Sequence, residues 1–282
     1  MTSRSANLVL PRPFLKWVGG KGQLLEELRR CVEAARPFRR YHEPFVGGGA
    51  LFFDLYRNGL LGRAAAYLSD NNPNLIDAYL GVQRDVEGVI ARLREHKAKH
   101  GETYYYAMRA NVPPDPLDRA ARVIYLNKTC YNGLFRENSR GEFNVPLGRY
   151  RNPAICDEEN LRAASAALQR AKIEQRTFST VLLKAGPGDL VYFDPPYDPV
   201  SKTSSFTGYA KGAFGVSEQQ ALAGVFGQLT ALGVKAVLSN SMTPLIRSLY
   251  ADYTIGQVLA SRAVNSRGDR RGKIAEALVR NY

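Results

Sequence analysis

The apolar run Leu190-Val191-Tyr192-Phe193, followed at once by Asp194-Pro195-Pro196-Tyr197, constrains this chain more than any other feature. Four apolar residues without polar alternation read as a strand buried on both faces, which belongs in a mostly parallel sheet. The tetrapeptide then sits at the carboxyl end of a strand, the edge at which open α/β sheets bind ligands. Proline fixes its own φ and carries no N–H, and the residue before a proline is pushed into an extended conformation. What remains is a rigid turn that presents acceptors, the Asp194 carboxylate and nearby carbonyls, with almost no competing donor. An exocyclic amine, with two N–H donors, complements such a turn, and Tyr197 adds a flat face on which an extruded base could stack. Taken alone, the same residues also fit an ordinary strand-to-loop turn.

Other segments repeat the pattern of a strand ending in a functional-looking turn. Residues 64–68 run into Ser69-Asp70, residues 234–238 into Ser239-Asn240, and a weaker strand at 40–43 into Pro44-Phe45-Val46-Gly47-Gly48-Gly49. Helices alternate with them: residues 21–35 place Leu24, Leu25, Leu28, Cys31, Val32 and Ala35 on one face. Ser217 with Gln220 reads as a capping box for a helix that runs to Gly233. The alternation predicts a doubly wound α/β domain. Residues 73–156 differ. They read as helices, at 85–99 and 117–130, then an Arg- and aromatic-rich stretch with a hairpin turn near 139–141. This predicts a discontinuous catalytic domain, residues 1–72 and 157–282, split by an insert at 73–156. A chain of 282 residues suits one domain with such an insertion.

The glycine turn at 47–49 lets a ligand approach the backbone closely. About twenty residues on, at the end of the next strand, Asp70 is placed to accept from ribose hydroxyls. Together they point to an adenosine-containing ligand, and leave open whether it is a nicotinamide cofactor or a methyl donor. Trp17, beside Gly19-Gly20-Lys21, suits either a pocket wall or core packing.

Charge speaks to the partner. The chain carries 39 Lys and Arg against 26 Asp and Glu, a net +13, which favours a polyanion. Arg136, Arg140, Arg149 and Arg151 are interleaved with Tyr131, Phe135, Phe143 and Tyr150, and a second basic cluster spans Arg262 to Lys273. Cys31, Cys130 and Cys156 are odd in number and widely spaced, which argues against a disulfide framework or a metal cluster. His96 and His100, four apart, lack an evident third ligand and read as a solvated helix face. No apolar run reaches the ~20 residues of a membrane span, and the polar start is a poor signal peptide. The cytosol is the expected place.

In order along the chain stand F-L-K-W-V-G-G-K, E-P-F-V-G-G-G, L-S-D-N-N, Y-N-G-L-F-R-E-N-S-R-G-E-F-N-V-P-L-G-R-Y and D-P-P-Y. Their content and order closely resemble the DNA adenine-N6 methyltransferases of the Dam family, the D12 class within the alpha group of amino-methyltransferases. The resemblance runs from about Phe14 to Val279. It implies a Rossmann-like, S-adenosyl-L-methionine-dependent methyltransferase sheet carrying a mainly helical target-recognition insert with a β-hairpin, and no metal. By similarity, Trp17, Lys21 and the loop of Glu43, Pro44, Phe45, Gly47 and Gly49 lie along the donor, with Asp70 on its ribose. Asp194 and the Pro195 carbonyl grip the adenine amine in the Asp194-Pro195-Pro196-Tyr197 turn, and Tyr197 stacks on the base. Arg136 reads a guanine, flanked by Asn132 and Leu134, and Lys16 also approaches a guanine. Arg140 and Arg149 suit phosphates. Ser204 to Tyr209 matches the loop beside the extruded base. The expectation is a monomer acting on 5′-GATC-3′ in double-stranded DNA of a bacterium or phage, alone or beside a restriction endonuclease of the same site. Ser241 and the individual contacts of 261–273 receive no role. N4-cytosine methylation, a silent DNA-binding scaffold and a nicotinamide oxidoreductase are the competing readings; Asp at the head of P-P-Y favours adenine by resemblance.

Overall fold

The computed structural model describes residues 9–17, 24–138, 140–200, 214–261 and 273–282. The chain divides into two compact units: a helical one of Met1–Gly20, Gly48–Gly59 and Pro73–Ala171, and a sheet-bearing one of Lys21–Gly47, Leu60–Asn72 and Lys172–Tyr282.

The sheet has strands β1 (Arg40–Glu43), β2 (Ala65–Asp70), β3 (Ala171–Gln175), β4 (Leu190–Phe193), β5 (Lys235–Ser241), β6 (Thr254–Ser261) and β7 (Lys273–Arg280), in the spatial order β3-β2-β1-β4-β5-β7-β6. β1 pairs in parallel with β2 and β4, and β4 with β5; β7 enters antiparallel between β5 and β6. The order is that of a Rossmann-like sheet with one antiparallel strand inserted. All four β4 residues are buried, as the unbroken apolar run requires. Val191 and Phe193 pack with Leu222, Phe226 and Leu229 of helix α8 (Val216–Ala231) in the core of this unit. Its other α-helices among the described residues are α1 (Leu25–Ala35) and α9 (Pro244–Leu249).

At the amino end of β4 a buried carboxylate closes the sheet. Asp189 is fully buried and accepts from Arg40 Nη2 at 2.7 Å, His42 Nε2 at 3.2 Å and the Gly186 N–H at 3.0 Å. The His42 ring stacks on Tyr67 with centroids 4.8 Å apart.

The helical unit contains α2 (Ala50–Arg57), α3 (Pro73–Arg84), α4 (Val86–Ala98), α5 (Glu102–Ala110), α6 (Pro116–Thr129) and α7 (Glu158–Leu168). It takes in the 73–156 segment together with the N-terminal stretch, α2 and α7. Two buried asparagines fasten the N-terminal stretch. Asn127 accepts from the Lys16 N–H and donates to the Lys16 carbonyl, both at 2.7 Å. Asn160 does the same to Arg12, at 3.0 and 3.2 Å. Each amide mimics one rung of a β-ladder, so an isolated extended segment has backbone partners without joining a sheet. Phe14 and Leu15 are buried in this clamped segment.

Several expectations need correction. The helix expected from Ser217 begins at Val216, and its box is closed by Glu218, whose carboxylate accepts from the Gly215 N–H at 2.8 Å and from Ser217 Oγ. Gln220 is exposed and takes no part. Three strands, β3, β6 and β7, were absent from the sequence reading. The hairpin near 139–141 is present as a turn, with Asn138 N–H on the Glu142 carbonyl and single bridges rather than regular strands. The imidazoles of His96 and His100 are not merely solvated: their Nδ1 atoms lie 2.7 Å from the Tyr104 hydroxyl and 2.9 Å from that of Tyr125.

All three histidines are held below their ordinary value, chiefly by burial; for His42 the Asp189 carboxylate opposes that effect. The unfolded chain therefore takes up protons on these rings first, from about pH 6.5 downward, and stability falls as pH drops. Asp70 and Glu137, pushed up by burial, work in the opposite direction at lower pH. The expected outcome is a lower thermal midpoint at about pH 5.5 than at about pH 7.5; an unchanged midpoint would show that these imidazoles do not govern stability.

Candidate active site and nucleic-acid interface

Strand order reverses between β1 and β4, so the carboxyl ends of these strands flank the crevice where sheets of this kind bind ligands. Glu43 ends β1, is buried, and accepts from the Tyr41 hydroxyl at 2.8 Å. Burial pushes that hydroxyl well up, so it stays a donor. Pro44 is buried beside it, and the Phe45 ring stacks on Phe178 at 5.4 Å. Gly47 turns the loop at φ 47°, and its N–H donates to Asp70 Oδ2 at 3.2 Å. The second Asp70 oxygen accepts from the Asn72 N–H at 3.0 Å. Burial raises the Asp70 carboxyl, while the backbone donors of Asn72, Gly47 and Asn71 pull it back. Asp70 thus shapes the glycine turn that the sequence separated from it by 23 positions.

The Asp194-Pro195-Pro196-Tyr197 turn leaves β4 and is held from several sides. Ser239 Oγ donates to Asp194 Oδ1 at 2.8 Å and lies 3.0 Å from the buried Tyr192 hydroxyl. Gln219 of α8 donates to the Pro196 carbonyl at 3.0 Å. Asn240 Oδ1 accepts from the Asp198 N–H at 2.9 Å and the Ser241 N–H at 2.8 Å, while its amide donates to Gln219. Tyr197 donates its hydroxyl to Glu276 of β7 at 3.2 Å. Burial, then Asp194 and Glu276, hold that phenol well above its ordinary range, so it stays neutral. Pro195 is buried and Pro196 exposed.

Sequence reasoning missed Gln219 and Glu276, which carry no local motif. It noted Ser239 and Asn240 only as a strand-end turn. Ser241, given no role, is buried, and its hydroxyl has no hydrogen-bond partner among the described residues. Lys21 and Ser204 to Tyr209 lie outside the described residues, as does most of the basic cluster at 262–273.

In the helical unit, Trp17 stacks on Phe135 at 5.5 Å. Gly49 begins α2 at φ 68°, where a Cβ would stand 2.6 Å from the Tyr79 hydroxyl. Lys16 is exposed, its ammonium 4.2 Å from the centre of the Tyr150 ring. After α6 the chain turns through Asn132, left-handed at φ 55°, and Gly133 at φ 62°. Asn132 is exposed and Leu134 half-buried. Arg136 is exposed but not loose: its Nε donates to Asn144 Oδ1 at 2.7 Å and its Nη2 to the Asn144 carbonyl at 3.4 Å. Arg140 and Arg149 are exposed. Lys128 of α6, which the sequence did not single out, is pulled down to about 8 by burial and then by Lys16.

Among the described residues, no group of three or more His, Cys, Asp and Glu side chains could hold a metal ion, and no helix is long and apolar enough to cross a membrane. The three cysteines are free thiols.

A Cβ on Gly133 would fall 2.5 Å from Lys16 Cδ, at a left-handed φ. Gly133→Ala is therefore expected to cost at least about 1–2 kcal/mol from the backbone alone, read as a lower urea midpoint. An unchanged midpoint would show that this turn relaxes freely.

Over residues 17–264 the chain matches the family described as D12 class N6 adenine-specific DNA methyltransferase. Type II methyltransferase M1.LlaDCHI of Lactococcus lactis subsp. cremoris is 39% identical over 284 residues, covering 98% of this chain and 97% of that protein. Type II methyltransferase M.MjaIII of Methanocaldococcus jannaschii is 40% identical over 291 residues, 96% of this chain and 99% of its own. DNA adenine methylase of Escherichia coli (strain K12) is 34% identical over 272 residues, 95% and 94% of the two chains. A solved human methyltransferase 10 domain containing protein aligns with 92% of this chain, and this chain with 82% of it, at a TM-score of 0.42 and 9% identity. That likeness is slight, and the family rests on sequence. The chain is an adenine-specific DNA methyltransferase and belongs to the D12 class of N6 adenine-specific enzymes.

Proposed function

We propose that the enzyme transfers the methyl group of S-adenosyl-L-methionine to N6 of an adenine rotated out of double-stranded DNA, within 5′-GATC-3′. The observation that carries this reading is the Asp194 carboxylate, set at the switch point of the sheet and fixed by Ser239 beside a tethered Tyr197. The loop chemistry suits the donor. Asp70 meets the backbone donors of Gly47, Asn72 and Asn71, and a carboxylate offers about four acceptor sites, so capacity remains for a ribose hydroxyl. Glu43, Pro44, Phe45 and Gly47 would line the same crevice. When bound, the donor supplies a methyl group activated by its positive sulfonium.

The adenine amine is a poor nucleophile because its lone pair is delocalised into the ring. In the proposed complex, Asp194 and the Pro195 carbonyl accept its two N–H bonds, which draws N6 toward tetrahedral geometry and localises that pair. Positive charge that develops on N6 is stabilised by the Asp194 carboxylate, an effect aimed at the transition state. Tyr197, neutral and tethered, offers the face against which the base stacks. The prolines, the Gln219 bond and the Asn240 bond keep the turn from following the substrate, so positioning contributes much of the rate.

The helical unit supplies the recognition surface. Arg136, whose Nε and one Nη2 hydrogen are held by Asn144, presents the remaining hydrogens of its fork to guanine O6 and N7. Lys16 also approaches a guanine, Asn132 and Leu134 flank the read base, and Arg140 and Arg149 take phosphates, which fix register without carrying sequence information. Two relatives bear the name type II methyltransferase, in keeping with an enzyme that works beside an endonuclease of the same site.

Asp194→Ala is expected to bind duplex DNA normally in fluorescence anisotropy yet to lose about a hundredfold or more in methyl transfer. Turnover retained within tenfold would remove Asp194 from the chemistry. Arg136→Ala is expected to lose about 1–3 kcal/mol of discrimination at one guanine, measured by base-resolved mapping on substituted sites. A loss spread evenly over all sequences would make Arg136 a phosphate contact instead.

A further inference from the structure

We propose that Ser239 is the positioning residue of Asp194, with the Tyr192 hydroxyl behind it fixing the direction of its hydrogen. The inference rests on the reading of Asp194 given above. Prolines at 195 and 196 stiffen the backbone of the turn but leave the carboxylate free to rotate, since the terminal torsion of an aspartate is broad and roughly two-fold. Something else must set it. Ser239 is fully buried on β5, the parallel neighbour of β4, and its Oγ donates to Asp194 Oδ1 at 2.8 Å.

A serine hydroxyl has one hydrogen and two lone pairs, and a carboxylate only accepts. The Ser239 hydrogen is therefore spent on Asp194, and at 3.0 Å the Tyr192 hydroxyl is the donor to Ser239. Tyr192 is 1% exposed, and burial keeps its phenol protonated. The chain Tyr192 to Ser239 to Asp194 is thus polarised in one direction. Every hydrogen in it points at the carboxylate, and its far end is closed to water. It orients Asp194.

The test uses the full-length enzyme, single-turnover methylation of a duplex with one target adenine, and separate titrations of DNA and S-adenosylmethionine. Ser239→Ala is expected to slow methyl transfer about tenfold to a hundredfold, the cost of a misplaced reacting group, with both affinities and the melting midpoint nearly unchanged. Ser239→Thr, which keeps the donor, is expected to recover most of the rate, and Tyr192→Phe, which keeps the volume, to fall between. In an Asp194→Ala background, Ser239→Ala is expected to add no further loss, because residues acting as one unit are not additive. A wild-type rate in Ser239→Ala, or rate, affinity and stability falling together, would overturn the inference while leaving Asp194 in place. Full turnover in Asp194→Ala would instead overturn the reading beneath it.

Discussion

The parallel pairing of β1 with β4 is the joint on which the sheet unit depends, and it is short: two registered pairs, Tyr41 with Leu190 and His42 with Val191. Asp189 makes so brief a joint secure. It stands one residue before β4 and gathers Arg40 and His42 from β1, so a buried carboxylate does at the amino end what more ladder bonds would otherwise do. A charge so deeply placed is tolerable only because all its partners are present. At the opposite end the same two strands release Glu43 and Asp194, and their separation there inherits the rigidity of the joint.

The active edge of the sheet follows a consistent chemical logic. Its acids are met by donors that cannot themselves ionise near neutrality: Tyr41 on Glu43, backbone N–H groups on Asp70, Ser239 on Asp194. Such donors orient a carboxylate without placing a competing charge beside it. Tyr197 is restrained at its hydroxyl by Glu276.

Much of this was legible because local sequence dictated it. The β4 run, the D-P-P-Y turn and the Asp70 strand end each obey a rule that acts over a few residues, and their order along the chain matched one family. What escaped depended on partners distant in sequence. β7 reads Lys-Ile-Ala-Glu-Ala-Leu-Val-Arg, rich in helix formers, and is a strand because Ala277 and Val279 fill the core beside β5. Gln219 serves the site only because α8 carries it to the Pro196 carbonyl, 23 positions away. The histidines were misjudged for the same reason: the tyrosines that shelter His96 and His100 lie on α5 and α6. Glu218 displaced Gln220 in the helix cap because α8 begins two residues earlier than its serine suggested.

The asparagine clamps carry a consequence for how the protein is made. The segment bearing Lys16 is fastened by residues 111 and 148 positions further on in the two rungs of the clamp. Closing loops of that length costs entropy before any contact rewards it. A chain emerging from the ribosome at roughly 5–20 residues per second can make the Lys16 rung only once Asn127 has been added and the Arg12 rung only once Asn160 has. Until then Phe14 can pack against Phe53 and Tyr79 but its segment is not fastened. The clamps therefore tie the fastening of this N-terminal segment to synthesis more than a hundred residues further on.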